Sequence, residues 1–145
     1  MENSKERQVW QRVLASSGEQ PRADLRELMA WVVELLSVYR HLTAAASGPR
    51  RESLRRLYEG EKSNLGCLKG ISVLSGGGGE VLKLWEPAKE PERKLLIRCY
   101  HRTRRCMVDY MSRSAEPEFG TVFRTLADRA GEHCVLIAEL LGGNM

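Results

Sequence analysis

An all-α fold is predicted for this chain: a bundle of four long helices, arranged as two hairpins joined by a long crossover, with a short extra helix at the N-terminus. Three features of the 145 residues carry the prediction. Apolar residues recur at three- and four-residue spacing through four segments of similar length. Gly and Pro fall mainly between those segments. The connections they mark run short, long, short, a layout that separates two hairpins from a chain with equal loops.

Segment 5–15 places Val9, Trp10, Val13 and Leu14 on one face and ends at Ser16-Ser17-Gly18, so residues 1–20 are expected to form an amphipathic packing arm. Residues 21–145 form the bundle as a single domain. Pro21 is expected in the first turn of a helix running to about Ala46, with Leu25, Leu28, Met29, Val32, Leu35, Leu36, Tyr39 and Leu42 inward. Gly48-Pro49 ends it. A second pattern begins near Arg50, carries Leu54, Leu57, Tyr58, Glu61, Leu65, Leu68 and Ser72, and stops at Gly76–Gly79. Each Gly costs about 1 kcal/mol relative to Ala in a helix, so the tetraglycine is a connection. The segment that follows holds Val81, Leu82, Leu84 and Trp85, too apolar for a bare linker, and part of it is expected to pack across the bundle. The third pattern runs from Pro91 to about Ser114 with Leu95, Leu96, Cys99, Thr103, Cys106, Met107 and Tyr110 inward. The fourth follows Glu116-Pro117 and carries Phe119, Phe123, Leu126, Ala130, His133, Cys134, Ile137 and Leu141 up to Gly142-Gly143.

An apolar share of 42% and a charged share of 29%, with both signs interspersed, argue against intrinsic disorder. No apolar run approaches the roughly 18 to 20 residues of a membrane span, and the first residues lack the apolar stretch of a secretory signal, so a cytoplasmic protein is expected. The four cysteines form no CxxC pair and read as free thiols filling core positions. The net charge of +4 suits an acidic partner.

Four inward positions, Val32, Glu61, Thr103 and Ala130, fall at one level, one on each helix. In each half of the chain an inward residue is followed seven positions later by an inward Tyr, Val32 by Tyr39 and Thr103 by Tyr110. Each half then continues into Glu61-Lys62-Ser63-Asn64 with LGCLKGISVL, or Ala130-Gly131-Glu132-His133 with CVLIAELL. In this layout and internal repetition the chain, over roughly residues 22–142, resembles the rubrerythrin-like branch of the ferritin-like superfamily. The resemblance implies a ferritin-like four-helix bundle and a carboxylate-bridged di-iron site with a Glu on each helix and a His three residues after the second and fourth. Of those six positions only Glu61 and His133 keep the expected residue. On a helical wheel Glu34 points away from the apolar stripe, Arg102, Arg105 and Asp109 lie outside the inward face, and Glu132 faces out, so none replaces a missing ligand.

One Glu and one His cannot offset two iron ions in a dry core. The expected reading is therefore a non-catalytic structural or interaction protein with no cofactor, in which Glu61 is hydrogen-bonded to His133 with Asn64 and Thr103 nearby. A second reading is a metal-binding protein or oxidoreductase with a mononuclear site, a single Zn or Fe ion held by Glu61 and His133 with contributions from Asn64, Cys99, Cys106 or Cys134. A third is a basic nucleic-acid-associated bundle, resting on Arg98, Arg102, Arg104, Arg105 and Arg113 with Arg50, Arg51, Arg55 and Arg56. No aromatic residues interleave with that set, so sequence-specific recognition is not expected, and an acidic protein surface fits as well. A homodimer is the expected assembly, with Trp10, Trp31, Leu84 and Trp85 as the candidate patch.

Overall fold

The computed structural model describes residues 23–77 and 82–142. The N-terminal arm, Pro21, Val81 and Gly143 lie outside them. Among the described residues are four helices, α1 (Leu25–Ala45), α2 (Gly48–Leu74), α3 (Glu92–Ser112) and α4 (Gly120–Gly142). Their 21, 27, 21 and 23 residues correspond to about 32 to 41 Å of helix. No described helix is long and apolar enough to cross a membrane.

Local chemistry sets the helix ends. α1 starts at Leu25, later than its proline suggests, because Asp24 is extended and its carboxylate accepts the Glu27 N–H at 2.8 Å, capping a donor that the helix leaves unpaired. α2 ends where Gly76 adopts φ 87°, a left-handed conformation that costs glycine little. The Gly77 N–H then bonds to the Ser72 carbonyl and the Gly76 N–H to that of Val73, the paired reverse bonds of a Schellman cap.

α1 packs on α2 and α3 on α4, and the hairpins meet through α1 against α3 and α2 against α4. Both lateral contacts are antiparallel. Ala23 meets Asp109 and Glu34 meets Arg102 along the first, while Arg50 reaches the Leu140 carbonyl and Asn64 meets Arg129 along the second. α3 therefore begins at the end of the bundle opposite to that where α2 finishes, and the connection between them must cover the bundle's length. The described part of that connection lies along α1: Leu82 and Leu84 pack on the core, the Trp85 N–H donates to Ser37 Oγ at 3.1 Å, and Pro87 is buried.

The core has two apolar halves. One gathers Leu28, Met29, Val32, Leu36, Leu68, Phe123 and Leu126, and the other Leu35, Tyr39, Leu54, Leu57, Leu95, Leu96 and Ile137. The buried polar residues Glu61, Asn64, Thr103 and His133 belong to neither, and their positions along the helices fall between the two.

Three expectations about charge and burial are corrected. Asp109 is fully buried, because it pairs with Arg105 at 2.9 Å and accepts the Ala23 N–H at 3.2 Å; the wheel had placed it outside the core. Glu34 is half-buried and forms an ion pair with Arg102 at 3.3 Å, since α3 covers the flank on which it stands. Cys134, expected inward, is half-buried.

Candidate functional site

Val32, Glu61, Thr103 and Ala130, the four positions expected at one level, are all buried. Glu61 is the one carboxylate among them, and 2% of its surface is accessible. A carboxylate at such depth must be paired, hydrogen-bonded or protonated. Here it is held on both oxygens: His133 Nδ1 lies 2.7 Å from Oε2, and Asn64 Nδ2 donates to Oε1 at 3.3 Å. Arg129 in turn donates through Nη1 to Asn64 Oδ1 at 2.7 Å. The helices make this chain local. Glu61 and Asn64 are three apart on α2, Arg129 and His133 four apart on α4, and both spacings put side chains on one face.

Two members of the cluster were not singled out from sequence. Arg129 stands four residues before His133, a spacing that was readable. Gly60 permits the close approach of α4: a Cβ there would fall 2.3 Å from His133 Nε2. With Nδ1 bound to Glu61, Nε2 is left at the wall of a pocket of about 210 Å³ lined by Arg56, Gly60, Arg129, Glu132, His133 and Leu136.

Among the described residues no cysteine is hydrogen-bonded to the Glu61–His133 pair, although burial and, to a lesser extent, the Glu61 charge raise Cys99, Cys106 and Cys134. Cys99 faces Tyr39 and Cys106 faces Tyr110. Burial pushes the Cys99 thiol up to about 12 and that of Cys106 well above its ordinary value, so both are held as neutral thiols. Cys134 is raised as well, by burial. Among the described residues no three His, Cys, Asp or Glu side chains are grouped so as to hold a metal ion. Thr103 makes no hydrogen bond to Glu61; its hydroxyl and those of Tyr39 and Tyr110 are buried without a partner of good geometry. Burial raises both tyrosines well above their ordinary value.

The donor set does not fit a di-iron centre. Val32 and Ala130 offer no donor, Thr103 offers a neutral hydroxyl, and the oxygens of Glu61 are already engaged. Two iron ions in a core of this kind require several anionic oxygens.

Of the arginines proposed for phosphate contact, most are occupied. Arg50 pairs with Glu92 at 2.9 Å and Arg98 with Glu90 at 2.7 Å. Arg102 and Arg105 lie over Trp31, 4.7 and 5.4 Å from its ring centre, while also pairing with Glu34 and Asp109. Arg113 is buried and donates to the Ala23 carbonyl. The arginines at the start of α2 differ. Arg51 and Arg55, with Arg40 of α1, are exposed around an open groove of about 700 Å³ that also includes Glu52, Tyr58 and Glu59. In the candidate self-association patch Trp31 and Leu84 are half-buried and Trp85 is 46% exposed; Trp10 lies outside the described residues.

Comparison of the chain with protein-family models, with curated proteins and with solved structures finds no match in any of the three.

Proposed function

We propose that this chain is a ferritin-like bundle, related to the rubrerythrin-like branch, that has lost the di-iron centre and acts as a non-catalytic interaction protein. One observation carries the reading. At the level where six ligands would stand, a single carboxylate remains, and His133 and Asn64 satisfy both its oxygens. A carboxylate satisfied on both oxygens sits in a core without needing a metal ion. The antiparallel pairing of α1 with α3, and a connection that follows α1, support the ferritin-like arrangement.

The interaction surface in this reading is the groove between α1 and α2. Arg40, Arg51 and Arg55 outnumber Glu52 and Glu59 there, and the occupant is an acidic segment of a partner protein.

Aerobic oxidation of Fe(II) tests the first part: the rate with protein should equal the rate in buffer. Protein-dependent oxidation that is lost in Glu61→Ala would overturn it and favour the altered metal site. Binding of a polyglutamate peptide tests the second. Arg51→Glu with Arg55→Glu should abolish it, whereas unchanged peptide binding, or a duplex DNA bound in preference with a steep salt dependence, would count against the acidic partner.

A further inference from the structure

The pocket beside the Glu61–His133 pair is a separate feature from the α1–α2 groove. Its wall brings Arg56 from α2 together with Arg129 and His133 from α4. Arg129 uses Nη1 to hold Asn64, which fixes the guanidinium while leaving its other N–H groups for a ligand. Arg56 is exposed and has no ion pair among the described residues. The only carboxylate in the lining, that of Glu132, belongs to an exposed residue. Two guanidiniums facing one solvated carboxylate leave a positive excess, and a buried imidazole fixed through Nδ1 sets a ring nitrogen, Nε2, against Gly60 in the same wall.

We propose that this pocket binds a phosphate group, that of a small phosphate monoester or of inorganic phosphate. Arg56 and Arg129 supply paired N–H donors, which match phosphate oxygens in geometry and charge. His133 Nε2 contacts a further oxygen. Three groups from two helices offer more polar contacts than a two-oxygen carboxylate uses. The volume of about 210 Å³ lies below the roughly 300 to 1,000 Å³ of sites for larger organic ligands, so the ligand is small or enters with its phosphate alone. Gly60 keeps the site open, since any larger residue would meet Nε2. The site stands independently of whether the bundle descends from a di-iron protein or binds an acidic partner.

The experiment is a titration of the full chain, labelled with ¹⁵N at histidine, with inorganic phosphate at fixed pH and ionic strength, chloride making up the balance. The expected result is a saturable shift of the His133 ring nitrogens, weakened about tenfold in Arg56→Gln, the loss of one charge-assisted contact. Lys62→Gln, a charge change outside the pocket on the same helix, should leave the affinity unchanged. Phenyl phosphate distinguishes the sources: binding tighter than that of phosphate assigns a monoester, and equal or weaker binding assigns the free ion. Ring nitrogens that do not move through the millimolar range, or a shift that Arg56→Gln and Lys62→Gln weaken equally, would overturn the proposal.

Discussion

Removing His133 alone leaves the Glu61 carboxylate in the core with a single neutral donor, Asn64. Breaking a buried pair in this way typically costs about 3 to 5 kcal/mol, whereas replacing both members with apolar residues is often neutral. His133→Leu should therefore unfold at clearly lower urea than wild type, and Glu61→Leu/His133→Leu should recover about 2 kcal/mol or more of the loss. A double variant no more stable than His133→Leu would show that Glu61 is not confined in the core. The thiols give a second prediction. Cys99 and Cys106 are buried and held neutral, while Cys67 and Cys134 are half-buried. A thiol reagent near pH 8 should modify Cys67 and Cys134 in the folded protein and reach Cys99 and Cys106 only after denaturant is added, as peptide mapping would show. The Glu61–His133 contact was legible because helical spacing fixed both faces. Asp109 was not, because its burial follows from Arg105 and the backbone of Ala23, a partner 86 residues away, and a wheel carries no information about distant partners.

At the scale of elements, α2 holds three glycines beyond its first residue, and they differ in what surrounds them. Added methyl groups at Gly66 and Gly70 would meet nothing within 4 Å, whereas one at Gly60 would strike the imidazole that Glu61 holds in place. Gly66→Ala and Gly70→Ala should each stabilise by up to about 1 kcal/mol. Gly60→Ala gains the same helix propensity but displaces His133, and the overpacking term of about 1 to 3 kcal/mol should make it neutral or destabilising. Denaturant midpoints of the three variants decide the matter, and equal stabilisation at all three would mean that His133 is not fixed. The four helices themselves were readable from apolar spacing, and their ends less so. Pro21 suggested an earlier start for α1 than Asp24 imposes, since a capping side chain and a first-turn proline are competing signals for the same boundary.

For the whole molecule, the buried thiols and phenols link stability to alkaline pH. Cys99 has an ordinary value of 9.0 and is raised to about 12, and Cys106, Tyr39 and Tyr110 are raised with it. Between those values the folded chain keeps protons that the unfolded chain releases, so stability is present in full below about pH 9 and falls as the pH rises toward 12. Urea midpoints should be level through neutral pH and decline above pH 9, less steeply in Cys99→Ala; a midpoint that rises there would contradict the assigned burial. The four helices and the burial of Val32, Glu61, Thr103 and Ala130 could be read from one sequence because both depend on periodicity. Gly60, Arg129 and the pocket could not, because they arise where two helices distant in sequence are brought together.

The most direct test of the central claim, that the Glu61 carboxylate is satisfied by His133 and Asn64 without metal, is element-specific metal analysis. Purified, tag-free protein would be exposed to Fe(II) or Zn(II) and freed of unbound ions, with Glu61→Ala and His133→Ala beside it. The account predicts far less than one equivalent of either metal in a folded, helical wild-type protein and no difference among the three. Near-stoichiometric metal in wild type, lost in both variants, would contradict it.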